Sequence, residues 1–296
     1  SASYARVSFQ AAYLKVHHPA EFMAAVLSNQ GGFYSTFAYV SESRRMGLEI
    51  LPPDVNNSEV AWTGRDRTLR VGLLAVKGLS QTTRERLITR RRQKGFDSVD
   101  DFFDRVHPDE AEIRALVHCG ALDAFAPEGN RAVLLWELAR RVRRRSDRPR
   151  SRLLFAEPAQ VSPILPAERP IDRLRREFAV LGFLCSGHPM TLYAPRLQRL
   201  KTVKAARLNR FVGQQVRLAG WLITGKKIRT KHGEAMQFLT FEDETGIVET
   251  TFFPGAYRRF CHLLDHGRPY LLSGRVEQDW GALTLTVEGV APLPAG

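Results

Sequence analysis

The last 83 residues constrain the fold most tightly. Five apolar-rich segments follow one another there: "QQVRLAGWLIT", "AMQFLTFED", "GIVETTFF", "PYLLSGRVEQ" and "ALTLTVEGV". The last is cleanly period-two, with Leu283, Leu285 and Val287 alternating with Thr284, Thr286 and Glu288. That is the pattern of a strand buried on one face. One stretch of helical pattern, "GAYRRFCHLL", separates the third segment from the fourth.

The order β-β-β-α-β-β is that of an OB-fold, a small Greek-key barrel that binds across strands 2 and 3 between loops L12 and L45. The stretch "GKKIRTKHGEAMQF" then falls at the end of strand 1 and in L12, and it puts Lys226, Lys227, Arg229 and Lys231 close together. Trp280 and Gly281 fall in L45, and Glu242, Asp243 and Glu244 in the turn between strands 2 and 3. Cations for phosphates and π-faces for bases are what single-stranded nucleic acid requires. Phe252 and Trp280 are the candidate stacking faces, although one of Phe252 and Phe253 must fill the barrel. The competing reading of the cluster is a solvated hairpin tip.

The formal net charge is +13, a balance that points to nucleic acid or an acidic membrane surface. Residues 214–296 hold nine Lys/Arg and nine Asp/Glu, so the whole excess lies in residues 1–213. Composition is otherwise that of a soluble globular chain, 44% hydrophobic and 25% charged, with no apolar run of the ~18 residues a membrane helix needs. The three cysteines, Cys119, Cys185 and Cys261, are far apart and odd in number, as expected of reduced thiols in a cytoplasmic protein. His262 and His266 sit at i, i+4 beside Cys261, but a zinc site needs about four ligands, and these read as a partly exposed helix face. The chain starts without Met inside an amphipathic pattern, so a piece of a longer protein is expected.

Upstream, helices dominate. "PAEFMAAVLSNQGG" has Pro19 in a first-turn position and a glycine stop. "LEILPPDVNNS" reads as an extended connector and "AWTGRDRTLRVGL" as a short hairpin. In "LLAVKGLSQTTRERLITRRR" a helix end, a tight turn at Gly78-Leu79-Ser80 and a new helix follow one another. Such a helix-hairpin-helix aims free N–H groups at a phosphate. Gly78 allows close approach, and Lys77, Arg84 and Arg86 stand by as cations. Many αα-hairpins share a glycine turn without that role. Two short helices and a long amphipathic one follow. Residues 140–152 then hold eight Arg and one Asp, a run that is usually solvated. "AEPAQVSPILPAERP" has the proline content of a domain linker.

Several segments carry a resemblance. "SASYARVSFQAAYLKVHHPAEFMAAVLSNQ", "ESRRMGLEILPPDVNNS", "RVGLLAVKGLS", "LVHCGALDAF", "EFAVLGFLCSGHPMTLY" and "TKHGEAMQFLTFEDETGIVETTFFPGAY" resemble, in this order, the bacterial DNA polymerase III alpha subunits, the C-family polymerases. The resemblance implies an α+β multidomain chain. Residues 1–58 would end the helical fingers region, and 59–139 would form a tandem helix-hairpin-helix domain gripping duplex DNA at Lys77, Gly78, Ser80, Arg84 and Arg86. Residues 140–205 would be a linker, and 206–296 an OB-fold meeting single-stranded template. Tyr4, Gln10 and Lys15 would lie near the incoming-nucleotide pocket, while Phe9, Tyr13 and Val16 form an apolar stripe that reads as packing.

The metal-binding aspartates of the palm would lie elsewhere, so catalytic residues are expected to be absent. Mg²⁺ is expected of the parent polymerase and no cofactor of these residues. The expected partners are DNA, other replisome subunits and the sliding clamp, the last through Leu154 and Phe155 in "SRLLF". Two departures stand out: Ser80 where the family's hairpin has glycine, and Ser151 where its clamp peptide has Gln. The alternatives are an error-prone, lesion-bypass relative and a free-standing single-strand-binding OB protein.

Overall fold

The computed structural model describes residues 2–30, 32–126, 129–146, 165–166 and 168–294. They form two compact units: Ser1–Gly32 with Tyr39–Ser186, and Phe33–Ala38 with Gly187–Gly296.

The first unit is mainly helical. It begins with α1 (Ala2–His17), α2 (Pro19–Asn29) and most of α3 (Thr36–Arg45). Pro19 opens α2 as its fixed φ predicts, and Gln30 ends it in the left-handed region. The "LEIL" connector is not a free linker. It forms β1 (Glu49–Leu51), which pairs in parallel with β3 (Thr68–Arg70), itself antiparallel to β2 (Thr63–Arg65). The expected boundary at residue 58 therefore falls inside one unit. The chain continues through α4 (Gln81–Gln93), α5 (Val99–Val106), α6 (Glu110–His118), α7 (Arg131–Ser146) and α8 (Pro170–Leu181). Three of these helices start at side-chain caps: Ser80 on α4, Ser98 on α5, and the reciprocal box of Asp109 and Glu112 on α6.

The core of this unit centres on Leu69, Leu73, Leu87, Phe102, Leu116 and Leu134, each no more than 1% exposed. A charged clasp closes it. Arg131 is buried and grips Asp123 with Nε at 2.6 Å and Nη2 at 2.7 Å, while its Nη1 donates to the His118 carbonyl at 2.9 Å. Gly120 ends α6 at φ +88°, and a Cβ there would stand 2.3 Å from Arg131 Nη2, so both conformation and space require glycine.

The second unit is the barrel. Strands β4 (Gln215–Arg229), β5 (Ala235–Asp243), β6 (Gly246–Phe252), β7 (Pro269–Asp279) and β8 (Ala282–Pro292) close in the order β4-β5-β6-β8-β7. Only β6 and β8 pair in parallel. That closed five-stranded order, preceded by the short α9 (Ala194–Leu197) and with α10 (Pro254–Phe260) between β6 and β7, is the OB topology. Leu218, Phe241, Phe252, Leu272, Val276 and Leu285 fill it at 0% exposure. A bulge between Leu222 and Thr224 lets β4 serve both β7 and β5.

Part of the outer wall is covered from within the same unit. Trp221 and Glu242, opposite each other on β4 and β5, are buried. His188 reaches Glu242 at 2.9 Å through Nε2, while its Nδ1 accepts from the Met190 N–H at 3.1 Å. With Nδ1 accepting, Nε2 carries the proton and donates. Phe37 and Tyr193 pack on Trp221. The neighbouring acids are engaged too. Asp243 accepts from the N–H groups of Thr245, Gly246 and Ala205, and Glu244 pairs with Lys204. The acidic turn is thus an internal fastening.

Candidate nucleic-acid interface

The β4–β5 hairpin ends in a turn closed by Thr230 N–H to the Glu234 carbonyl at 2.8 Å and Gly233 N–H to the Thr230 carbonyl at 2.9 Å. Gly233 sits at φ +79°, which is why glycine stands there. Lys226, Lys227, Arg229 and Lys231 are all exposed, and among the described residues none of them has an ion-pair partner. The one acid at the tip, Glu234, is taken by Arg258 at 2.8 Å.

Alternation divides the four cations. Lys226 stands opposite Phe238 and Ile228 opposite Met236, on the outer wall. Lys227 shares the other parity with Gln237 and Leu239, and its Nζ lies 5.1 Å from the centre of the Tyr257 ring on α10, within cation–π range. Lys226 is therefore the strand cation beside the open wall. Lys227 faces the α10 end of the barrel.

The open wall runs along β5 and β6. Phe238, at 40% exposure, is its aromatic, with Thr251 opposite on β6. Thr240 donates to the Glu249 carboxylate at 3.0 Å. Beyond β6 the ladder continues through Thr284 and Thr286 of β8. The L12 tip lies past the Gln237–Phe252 pair, at the C-terminal end of β6, and the β7–β8 turn lies toward its N-terminal end, since Thr284 pairs with Glu249. In that turn Trp280 (φ 50°) and Gly281 (φ 84°) both take positive φ, the signature of a type I′ hairpin. Trp280 is 100% exposed. A cationic tip and an indole thus flank a wall that carries one exposed aromatic.

Phe252 is a correction. It is 0% exposed and fills the barrel, because it shares the parity of Val248 and Thr250. Its neighbour Phe253 is 49% exposed. Phe238 is absent from the sequence-based candidates, yet alternation signals it: Leu239 and Phe241 point into the core, so Phe238 must point out.

In the first unit, Gly78 has φ +85°, and nothing lies within 4 Å of where a Cβ would stand; the turn is open and needs glycine for its backbone. Ser80 is extended at φ −68°, ψ 155° and caps α4 by accepting from Thr83 N–H at 3.2 Å. Any residue adopts that conformation, so serine in place of glycine costs the turn nothing and adds a cap. The Ser80 N–H donates to Glu112 at 3.0 Å, as does Thr83 Oγ1 at 2.9 Å. Burial opposes the Glu112 charge, but bonds from Ser80, Asp109 and Thr83 outweigh it and hold the carboxyl below its ordinary range.

The N–H groups of Gly78, Gln81 and Thr82 have no acceptor among the described residues. Lys77 is exposed and Arg84 half-buried. Arg86 departs from expectation: its Nη1 donates to the Val106 carbonyl at 2.8 Å, so it fastens the end of α5.

The expected nucleotide-pocket residues Tyr4, Gln10 and Lys15 all lie along α1. Tyr4 is 82% exposed, Gln10 is exposed, and Lys15 pairs with Glu42 at 2.9 Å. The expected packing stripe is exposed as well, with Phe9 at 76%, Tyr13 at 52% and Val16 at 72%. Tyr4 and Val7 are also exposed, so α1 buries no apolar side among the described residues. Ser151, Leu154 and Phe155 lie outside the described residues. All three cysteines are free, and burial pushes the Cys119 thiol up to about 12. No helix of the described residues is long and apolar enough to cross a membrane.

Residues 47–134 match the family of helix-hairpin-helix motifs, and residues 216–293 match the OB-fold nucleic acid binding domain. An error-prone DNA polymerase of Anaeromyxobacter sp. (strain K) is 34% identical over 99% of this chain and 26% of its own length. The DNA polymerase III subunit alpha of Thermus aquaticus is 34% identical over 94% of this chain and 24% of its own. An error-prone DNA polymerase of Corynebacterium efficiens is 32% identical over 100% of this chain and 27% of its own. The chain therefore spans about a quarter of the length of the curated relatives it matches. With a helix-hairpin-helix region and a closed OB barrel joined in one sequence, and the likeness running from end to end, the chain is a homologue of the C-family DNA polymerases.

Proposed function

We propose that this chain is the DNA-holding part of a template-directed DNA polymerase, with the hairpin region on duplex and the barrel on single strand. The observation that carries the reading is the β5–β6 wall. Four exposed cations without ion-pair partners at Lys226–Lys231 lie at one end, Trp280 at the other, and Phe238 between. Phosphates neutralised at the tip and bases stacked on the aromatics give sequence-tolerant binding. In the first unit, a duplex phosphate would meet the N–H groups at Gly78 and the start of α4, supported by Lys77.

Nucleotidyl transfer belongs to the parent enzyme in this reading, together with its Mg²⁺. Among the described residues no group of three or more His, Cys, Asp or Glu side chains is gathered, and the ion is assigned in this reading to residues of the parent enzyme. The chain alone is expected to bind primer–template without extending it, and extension in the presence of magnesium and all four nucleotides would defeat that expectation. Sliding-clamp and replisome contacts belong to the same proposal, with Leu154 and Phe155 as the clamp peptide.

The test is single-strand affinity of the full chain across a salt series. Replacing Lys226, Lys227 and Lys231 by Ala should flatten log affinity against log salt by roughly 1.4 to 2 units, at about 0.7 per phosphate. An unchanged slope would return the hairpin to a solvated tip.

A further inference from the structure

The barrel carries a second concavity, away from the β5–β6 wall. A cleft of ≈ 420 Å³ lies between the segment 201–214 and the outer surface of β4 and β7. Lys201, Phe211, Gln214, Gln215, Arg217 and Ser273 form its walls. Arg217 and Ser273 are cross-strand partners, so their side chains rise together from one face.

The cleft is built into the fold on both sides. The bridge Val203–Leu218 ties one wall to β4, and the bridge Val212–Val276 ties the other to β7. Phe211 is partly buried against the barrel core, and the turn after it closes by Gln214 N–H to the Phe211 carbonyl at 2.9 Å. Gln215 is held at the rim by its bond to Glu288 at 2.8 Å.

Charge marks the cleft as more than a groove. In this unit Lys204 pairs with Glu244, Arg258 with Glu234 and Arg268 with Asp265. Lys201 and Arg217 are exposed and have no ion-pair partner among the described residues. Two unneutralised cations thus converge on a cavity with an aromatic wall, a side-chain amide and a hydroxyl. A planar guanidinium and an ammonium suit a phosphate, an aromatic face suits a base, and Gln214 and Ser273 supply hydrogen bonds to either.

We propose that this cleft is a second nucleotide-binding site, taking one phosphate-bearing nucleotide unit, either free or within a single strand that continues past the β5–β6 wall. It does not rest on the strand path along that wall, because the two sites share no residue.

Three forms of the full chain test it: wild type, K201A/R217A and the triple-lysine hairpin variant. Each is titrated with dTTP in the absence of divalent metal and with a single-stranded oligo(dT) across a salt series. If the unit is free nucleotide, K201A/R217A weakens dTTP binding by about tenfold or more, while the hairpin variant does not. If the unit is part of a strand, K201A/R217A lowers the oligo(dT) salt slope by about 1.4 units, additively with the hairpin variant. The charge-removing pair K201Q/R217Q, which keeps an aliphatic stem and a polar end in place of each cation, must reproduce the effect; if only the alanine pair acts, packing is the cause and the site is refuted. Equal behaviour of wild type and K201A/R217A in both titrations also overturns the proposal. Failure of the hairpin variant alone strikes only the β5–β6 path.

Discussion

The two units use their cations in opposite ways. Both units are basic, since the formal excess of +13 lies in residues 1–213 and these run from the first unit into the start of the second, yet many arginines of the first unit are fastened into the fold. Arg86 binds the Val106 carbonyl, Arg91 binds the Ser58 carbonyl and Glu59, Arg105 binds Gly95 and Asp101, and Arg131 is buried on Asp123. The barrel segment from residue 214 nets zero, yet it presents Lys226, Lys227, Arg229 and Lys231 at a hairpin and Arg217 at a cleft without ion-pair partners among the described residues. Net charge is thus a poor map of where a polyanion docks. Arginine's five-donor fork caps carbonyls that no backbone N–H reaches, so a basic helical unit consumes cations in holding itself together. What matters for binding is the cation left without an internal acceptor.

The sharpest break in that contrast is Arg131→Ala. It removes a buried guanidinium and leaves the His118 carbonyl without that donor, while Asp123, 30% exposed, keeps Arg173, and should destabilise the first unit by about 2–3 kcal/mol. The triple-lysine hairpin variant should stay within about 0.5 kcal/mol of wild type, as surface changes do. Thermal unfolding followed by near-ultraviolet circular dichroism reads both. Comparable losses would erase the distinction between fastened and free cations.

Trp280→Ala comes next. Losing a true stack should weaken single-strand binding by about 1–3 kcal/mol while leaving the salt slope alone. The substitution removes no buried contact, because the indole is fully exposed. If affinity holds, the β7–β8 turn is no part of the interface.

Glu112 gives the pH arm of the comparison. Its folded carboxyl is held below its ordinary value. Its stabilisation is therefore fully present above the unfolded carboxylate value and is lost as pH falls through the folded one. Glu112→Gln should cost about 1–3 kcal/mol by leaving bonds to Ser80, Asp109 and Thr83 imperfect, and it should flatten the acid limb of stability against pH. An acid limb identical to wild type would show that the turn does not depend on that charge.

The smallest expected effect is Gly78→Val. Space is open there, but φ is +85°, and a left-handed conformation costs a β-branched residue about 1–2 kcal/mol. Duplex affinity should fall with single-strand affinity unchanged. Equal duplex affinity would make the hairpin purely structural.

Much of the architecture is legible in the sequence because it depends on near neighbours. Period-two alternation marks the five strands, Pro19 and the glycine stops bound helices, and the Gly78 turn follows from its own residues. The barrel's closure follows from strand order alone. The "LEIL" connector does not announce itself as a strand, because its partner, β3, lies at Thr68–Arg70, and nothing local reveals a parallel pairing.

Which segments alternate, where turns must fall and how many cations the chain carries are written in the order of the residues. Tertiary structure alone decided which of those groups are available. Phe252 or Phe253 could equally fill a barrel until register put Phe252 inside at 0% exposure. Glu242 looked like a surface acid until His188, 54 residues away in the chain, closed on it. Arg86 looked like a free cation until the Val106 carbonyl, 20 residues on, accepted from it. The reason is the same in each case. Local conformation is governed by a residue and its near neighbours, whereas burial and hydrogen-bond satisfaction depend on whatever distant chain the fold brings within about 3 Å.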